Sequence, residues 1–309
     1  MKRIICIISA LCMLLPLCAC GEKPADKTDG RLSIVTTVFP AYDFAREIAG
    51  DKANVTLLIP PGTEIHSYEP TPQDIVKIEK CDLLIRNGGE SEAWLDKLTD
   101  GGSGEYAEVT MMDKVDVLTE EIKEGMEAGA EEDPEPDEHV WTSPVNAQKI
   151  CRAIADSLSA LDESNAPYYA ESCAAYCEKL AELDGEFREV IANASRSTLI
   201  FADRFPVRYF VEEYGLDYFA AFPGCADDAE PSAKTVMFLI DKAKEISAPA
   251  VCYIEFSNQK MADMVAEDTA CTKKLFHSCH NVTSDDLKNG VSYLSLMKQN
   301  VETVREALG

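Results

Sequence analysis

Histidine is scarce in this chain of 309 residues: there are four, together with only two tryptophans. Basic residues are also few, with 29 Lys and Arg against 55 Asp and Glu, which gives a formal net charge of −26 at pH 7. A surface this acidic disfavours nucleic acid and anionic lipid, and it attracts cations without selecting one. After residue 20 no apolar run reaches membrane-spanning length. Nucleic-acid binding is therefore not expected.

Several common metal and catalytic motifs are missing as well. No cysteine pair has the CxxC spacing of a zinc ribbon, and the chain contains neither HExxH nor a nucleophile elbow. We therefore expect no enzyme. Cys81, Cys151 and Cys252 lie within apolar patterns and are predicted to be small core residues.

The N-terminus has the layout of a secretory signal. Two basic residues precede an apolar run over 4–18, which is short for a membrane-spanning helix, and the sequence LCAC ends it at Cys20. These last residues resemble a bacterial lipobox, in which Cys20 becomes the first mature residue and carries the lipid. We expect a signal peptide over 1–19 and a flexible tether over 20–31, so that the chain is extracytoplasmic and anchored to the bacterial cell membrane.

Two stretches of alternating strand and helix flank one long helical pattern. Strand-like runs lie at Leu32–Val38, Asn54–Ile59, Asp82–Arg86, Thr198–Ala202, Leu216–Ala221, Ala250–Phe256 and Lys274–His277. Helical patterns lie at Ala41–Ala49, Asp74–Lys80, Val207–Tyr214, Ser232–Ile246, Gln259–Asp268 and Tyr293–Leu308. This alternation predicts parallel βαβ units and an α/β fold.

The long helical pattern covers Asn165–Ala194. Apolar residues recur there at spacings of three and four, and a helix of this length would span about 45 Å, enough to cross two lobes. The segment Glu120–Glu138 differs from it, since ten of its nineteen residues are acidic. We predict a solvated loop for that segment.

The four histidines occupy three widely separated positions, each expected in a loop after a strand. His66 lies in PPGTEIHSYEP, His139 in PDEHVWTSP, and His277 and His280 in LFHSCHNV. Open α/β sheets place their ligands at such strand ends, and imidazole nitrogens suit zinc. The hypothesis is a tetrahedral site of three His and one carboxylate. Asp203, which follows a predicted strand and opens a helix, is the first choice for that carboxylate, although a helix cap or a partner for a neighbouring arginine explains it equally well.

Three segments resemble the zinc/manganese solute-binding lipoproteins of ABC transporters. They are TTVFPAYDFAREIAGDKANVTLLIPPGTEIHSYEPTPQDI, DEHVWTSPVNAQKI and YLSLMKQNVETVREAL. The resemblance implies two (β/α) lobes with mostly parallel sheets, over 32–162 and 196–309, joined by one long rigid helix within 163–195. It also implies one metal ion in the cleft between the lobes, each lobe supplying ligands.

The family's ligands transfer residue by residue. Its first histidine falls on His66 and its second on His139, within an HxW sequence. In the second lobe an alignment on Tyr214-Gly215 puts Arg204 at the family's third ligand, and Arg204 cannot bind a cation. We therefore expect Asp203 to take that place and His277 to stand where the family has a final carboxylate. Glu255 and His280 are the alternatives.

The expected cargo is Zn2+, with Mn2+ or Fe2+ as the alternative if carboxylates predominate among the ligands. The expected partners are an ABC permease with its ATPase, and the membrane through the lipid on Cys20. We expect a monomer. A metal-dependent adhesin is the competing interpretation from another functional class.

Overall fold

In a computed structural model the chain is described over residues 30–99, 104–127, 135–226 and 231–309. Two four-stranded parallel sheets organise these residues. The first contains β1 (Leu32–Thr36), β2 (Ala53–Leu57), β3 (Leu83–Arg86) and β4 (Ala107–Thr110). The second contains β5 (Thr198–Phe205), β6 (Asp217–Pro223), β7 (Ala250–Tyr253) and β8 (Thr272–Leu275). The spatial orders are β2-β1-β3-β4 and β6-β5-β7-β8, so the two sheets repeat one topology.

The first strand of each sheet is central. In β1, Ile34 pairs with Val55 of β2 and Leu83 of β3, and in β5, Phe201 pairs with Ala220 of β6 and Cys252 of β7. Both faces of these two central strands are buried, which suits their β-branched and aromatic side chains. Because the chain leaves each central strand first to one side and then to the other, a crevice opens at the carboxyl ends of the strands. The predicted α/β fold with parallel sheets is confirmed.

The helices lie between these strands. They are α1 (Phe39–Ala49), α2 (Pro72–Lys80), α3 (Ala93–Thr99), α4 (Pro144–Leu161), α5 (Ala166–Ala192), α6 (Arg208–Tyr214), α7 (Ala233–Glu245), α8 (Lys260–Thr269), α9 (Ser284–Lys288) and α10 (Tyr293–Leu308). None of the described helices is both long and apolar enough to cross a bilayer.

Helix α5 connects the two lobes. It packs against α1 and α4 of the first lobe and against α6 and α10 of the second. Its buried stripe includes Tyr169, Tyr176, Leu180 and Phe187, at the helical spacing seen in the sequence. At 27 residues it spans about 40 Å. The predicted long helix is therefore present, with ends within two residues of those expected.

The lobes also share a buried core near the crevice. Trp141, which is fully buried, donates its indole N–H to the carbonyl of Ser278 at 2.8 Å. Tyr293 at the start of α10 donates its hydroxyl to the carbonyl of Trp141 at 2.6 Å, and its backbone N–H to Asp43 at 2.8 Å. Since these groups are buried, their hydrogen bonds fix the two lobes at the crevice.

Some predicted elements end elsewhere. Strand β7 stops at Tyr253 and β8 at Leu275, so that Glu255 and His277 lie in loops. Strand β4 and helices α3, α4 and α9 are not among the predicted elements. The first, second and fourth of these are short, whereas α4 has 18 residues. Cys81, Cys151 and Cys252 are buried as expected, and the eight cysteines of the described residues are free thiols. Cys20 lies outside the described residues.

The described part of the acidic segment is a loop with exposed residues such as Glu121 and Glu124, as predicted, but other parts of it are paired or buried. Thr119 forms an antiparallel bridge with Pro136, and the backbone N–H of Glu127 donates to Ala221 of β6. Asp137 and Glu138 are only 1% and 3% exposed. Their charge is tolerated because the carboxylates accept hydrogen bonds, from His139 and Ser91 respectively.

Candidate metal site

His66 reaches the crevice from the loop between β2 and α2. Capping by Thr71 fixes the start of α2, and the buried Ile65 ties the loop to the core. The backbone N–H of His66 donates to Oε1 of Glu64 at 3.3 Å. Its Nε2 atom is buried and has no hydrogen-bond partner. A buried imidazole nitrogen without a partner is available to bind an ion.

His139 is fully buried at the start of a short helical turn ahead of α4. Oδ1 of Asp137 accepts its backbone N–H at 2.8 Å and lies 3.1 Å from its Nδ1. In the neutral ring that contact assigns the proton to Nδ1 and leaves the lone pair on Nε2, which has no partner among the described groups. Burial alone would lower the pKa of His139, but the Asp137 carboxylate outweighs it, so that the pKa is raised.

His280 lies in the loop after β8, and Glu255 shapes that loop. The carboxylate of Glu255 accepts the backbone N–H of Ser278 at 2.7 Å, the Ser278 hydroxyl at 2.5 Å and the backbone N–H of His280 at 3.3 Å. Cys279 between them has a φ of +62°, in the left-handed region. The hydrogen bonds to Glu255 hold this turn in its left-handed conformation, and the turn directs His280 towards the first lobe.

The three imidazoles converge. One ligand atom from each of His66, His139 and His280 lies within 4.8 Å of the other two. Their ring centroids are 4.9 to 5.7 Å apart, and all three Nε2 atoms are buried without a partner. Three nitrogens on a tetrahedral zinc ion stand about 3.3 Å apart, which small side-chain rotations achieve here.

Two of these imidazoles are neutral near pH 7. Burial, followed by repulsion from His139, lowers the pKa of His66 to about 4. Burial likewise lowers the pKa of His280 well below its usual value, with His139 and His66 adding to the shift. Neutral imidazole is the form that binds a metal.

His277 and Asp203 do not join this group. Nδ1 of His277 accepts the backbone N–H of Cys279 at 2.9 Å, and its own backbone is held by Asn300. Oδ1 of Asp203 accepts the N–H of Arg204 at 2.9 Å, and Oδ2 accepts the N–H of Ile254 at 3.3 Å. Both side chains thus hold the backbone of the second lobe. The side chain that does lie with His66 and His139 is His280, one of the two alternatives expected from the sequence.

Glu255 supports the site without joining the histidine group. Besides shaping the loop of His280, its Oε1 lies 3.5 Å from Nδ1 of His277. Gly224 at the end of β6 closes the other side, since a Cβ there would stand 3.1 Å from Cε1 of His139 and 2.9 Å from the carbonyl oxygen of Phe205. Only glycine permits this approach of the second lobe to His139.

Arg204 faces the first lobe across the crevice. Its Nη2 lies 3.0 Å from Oε2 of Glu64, and its Nη1 donates to the carbonyl of Ala226 at 3.3 Å. Both side chains line a cavity of about 540 Å³, together with Asp203 and Lys260. Sequence reasoning identified Arg204 as a departure from the family pattern. It did not predict the ion pair with Glu64, because the two residues are 140 positions apart.

Comparison with known proteins agrees with this architecture. A family model described as "Zinc-uptake complex component A periplasmic" matches residues 34–307. Zinc-binding lipoprotein AdcA of Streptococcus pneumoniae is 32% identical over 311 residues, covering 99% of this chain and 61% of the relative. The high-affinity zinc uptake system protein ZnuA of Bacillus subtilis is 31% identical over 318 residues, covering 97% and 96%. The chain thus spans about three fifths of the pneumococcal relative's length.

Solved structures show the same fold. The Zn(II)-bound ZnuA-like domain of S. pneumoniae AdcA superposes with a TM-score of 0.76 at 31% identity, covering 90% of this chain and 99% of that one. The metal-dependent lipoprotein YcdH of B. subtilis gives 0.78 at 30% identity, covering 90% and 100%. The laminin-binding protein Lmb of Streptococcus agalactiae, at 23% identity and a TM-score of 0.76, is similar in fold.

Proposed function

The chain belongs to the family of zinc-uptake complex component A, and on that premise we propose that it captures zinc outside the cytoplasm and delivers it to an ATP-driven permease. The observation that carries this proposal is the convergence of three buried, unpartnered Nε2 atoms, from His66, His139 and His280. Each lobe contributes to the group, so one ion would bind both sides of the crevice.

The donor set favours zinc over harder cations. The cluster found among the described residues consists of three imidazoles and no carboxylate. Imidazole suits zinc, whereas manganese, magnesium and calcium favour carboxylate oxygens. Carboxylates still surround the site, since Asp137 contacts His139 and Glu64 contacts His66. They would orient the ligands and offset the charge of the ion without binding it.

Three protein ligands leave one tetrahedral position, and we propose that solvent fills it. An open position on zinc also occurs in hydrolases. Here the Nε2 atoms are buried, and neither His66, His139 nor His280 lines the neighbouring cavity of about 540 Å³. We therefore propose binding without bond chemistry. An assay of ester hydrolysis by the zinc-loaded protein tests this, and turnover that the H280A substitution abolishes would contradict it.

The attachment and domain boundaries are also proposals. Cleavage after residue 19 and lipid on Cys20 would anchor a monomer by a tether over 20–31, with lobes over 32–162 and 196–309 and the linker over 163–195. Radiolabelled palmitate incorporated by bacteria that express the chain tests the anchor. Labelling that persists in the Cys20→Ala variant would contradict it.

A crystal structure of the zinc-loaded protein, with anomalous data collected on both sides of the zinc edge, tests the site. We expect one strong peak at about 2.0–2.1 Å from the Nε2 atoms of His66, His139 and His280. A peak coordinated by His277 and Asp203 would instead restore the ligand set expected from the sequence. Data from a crystal soaked in manganese supply the control for metal identity, and a better-ordered manganese ion would favour the alternative cargo.

A further inference from the structure

Helix α5 carries two cysteines one turn apart, Cys173 and Cys177. Residues at i and i+4 lie on the same face of a helix, and here the two Sγ atoms are 3.9 Å apart. The side chains are 5% and 7% exposed. Cys151 and Cys252, by contrast, have no exposed surface, as expected of thiols that only fill a core.

The thiol pair lines a groove between α4 and α5. The groove has a volume of about 580 Å³, and alanines provide much of its wall. Its lining includes Gln148, Arg152, Cys173, Ala174, Cys177 and Glu178. Small side chains leave room beside the sulfurs for an ion and its waters. None of the three clustered histidines lines this groove, so a ligand here would be separate from the cargo site.

The immediate surroundings favour a negative charge on the pair. Hydrogen bonding from Cys173 lowers the pKa of Cys177 to about 7, with a further contribution from the Arg152 guanidinium. The same hydrogen bond, together with burial, raises the pKa of Cys173. Binding a cation as a dithiolate releases the S–H protons of both cysteines, and the Arg152 guanidinium in the groove favours the thiolate form of Cys177.

We propose that Cys173 and Cys177 form a second metal site, which takes one soft, thiophilic cation such as Zn2+ or Cd2+ as a dithiolate. Two thiolates on a tetrahedral zinc ion stand about 3.8 Å apart, given Zn–S bonds near 2.3 Å, so the observed 3.9 Å already fits a chelate. The Cys177 thiol donates to the carbonyl of Gln148 at 3.8 Å, so loss of its proton frees that oxygen, and water in the groove would complete the coordination.

Titration of the protein with Cd2+, followed by ultraviolet sulfur-to-metal charge-transfer absorption, tests this site. Imidazole gives no such absorption, so the histidine cluster does not contribute to the signal. The histidine cluster takes up Cd2+ without this absorption, so we expect the signal of the unmodified chain to saturate by two equivalents in total. We expect full loss in Cys173→Ser and in Cys177→Ser, and no loss in Cys271→Ser, which removes a single thiol elsewhere. Unchanged absorption in Cys173→Ser would overturn the proposal.

A second measurement needs no variant of the pair. Phenylarsine oxide reacts with two adjacent thiols: two S–H bonds break, two As–S bonds form, and the oxygen leaves as water. Mass spectrometry of the digested adduct should place one phenylarsenic group on the peptide that contains both cysteines, and an adduct found only elsewhere would overturn the proposal. The H280A variant should retain both signals, so failure here is distinguishable from failure of the imidazole site.

Discussion

Oδ1 of Asp137 contacts two nitrogens of His139, the backbone N at 2.8 Å and the ring Nδ1 at 3.1 Å. The contact fixes the imidazole tautomer and its orientation before an ion arrives. Replacing Asp137 with Asn keeps an acceptor but removes the charge, and we expect zinc affinity to fall about 10- to 100-fold, as for other outer partners of metal-bound histidine. A chelator-competition titration measures the change. An affinity equal to that of the unmodified chain would mean that Asp137 does not act on the ligand.

His280 and His277 form a matched pair for testing the site. His280→Ala removes a clustered imidazole, and we expect at least a 100-fold loss of zinc affinity, more than for an outer partner. His277→Ala instead leaves the Cys279 N–H unsatisfied, so we expect a loss of about 1–3 kcal/mol in the free energy of unfolding with nearly unchanged affinity. Competition titration and urea unfolding separate the two effects, and the reverse pattern would identify His277 as the ligand.

The sequence predicted the first lobe's histidines better than the second's. His66 and His139 lie in motifs whose spacing is local, and the structure brings both to the crevice; their binding of metal stays a prediction. The choice between His277 and His280 depends on where β8 ends and on the left-handed turn at Cys279, a conformation that cysteine seldom adopts. Nothing in a single sequence signals that turn.

Tertiary contacts also decided what the remaining polar residues do. The parallel sheets and helix α5 followed from local periodicity, which the fold keeps. Asp203 and Glu255 carry carboxylates that could bind a metal ion. In the folded chain each carboxylate instead accepts hydrogen bonds from backbone N–H groups of other strands and loops. Asp137 and Glu138 belong to a strongly acidic segment, and only the folded chain supplies the partners that bury them.

Zinc binding should release about one proton near pH 6. Burial lowers the pKa of His66 to about 4 and that of His280 well below its usual value, so both are already neutral. His139, whose pKa is raised, is the imidazole that must lose a proton. Zinc affinity should therefore fall about tenfold for each pH unit below the pKa of His139. The fall should become steeper only near pH 4, where His66 also takes up a proton. Calorimetry in buffers of different ionisation enthalpy counts the protons; three released would contradict this assignment.

Glu92 should make stability depend on pH independently of metal. It is 2% exposed, and burial raises its pKa from 4.5 to about 7. Because the folded pKa exceeds the unfolded one, the group's favourable contribution is present below pH 4.5 and is lost as the pH rises through about 7, a change of about 3 kcal/mol. Glu92→Gln, which keeps an acceptor for the Gly88 N–H, should be more stable than the unmodified chain at pH 8 and similar at pH 4.5.

Urea unfolding at the two pH values measures this difference. Glu90→Gln is the matched control, since Glu90 is an exposed neighbour on the same short turn. An equal effect of the two substitutions would show that burial of Glu92 has no energetic consequence.

The ion pair between Arg204 and Glu64 sets the charge next to the imidazoles. Arg204, 13% exposed, repels a cation, and Glu64 beside it cancels that charge. Glu64→Gln keeps the acceptor for the His66 N–H but removes the negative charge that faces Arg204, so zinc affinity should fall about tenfold, the equivalent of one pKa unit. Arg204→Gln should raise affinity by a similar factor, whereas Arg208→Gln, which breaks a pair with Glu212 on α6, should not change it. If both changes at the pair weaken zinc binding, then Arg204 and Glu64 act by holding the lobes together, and their charges do not tune the ion.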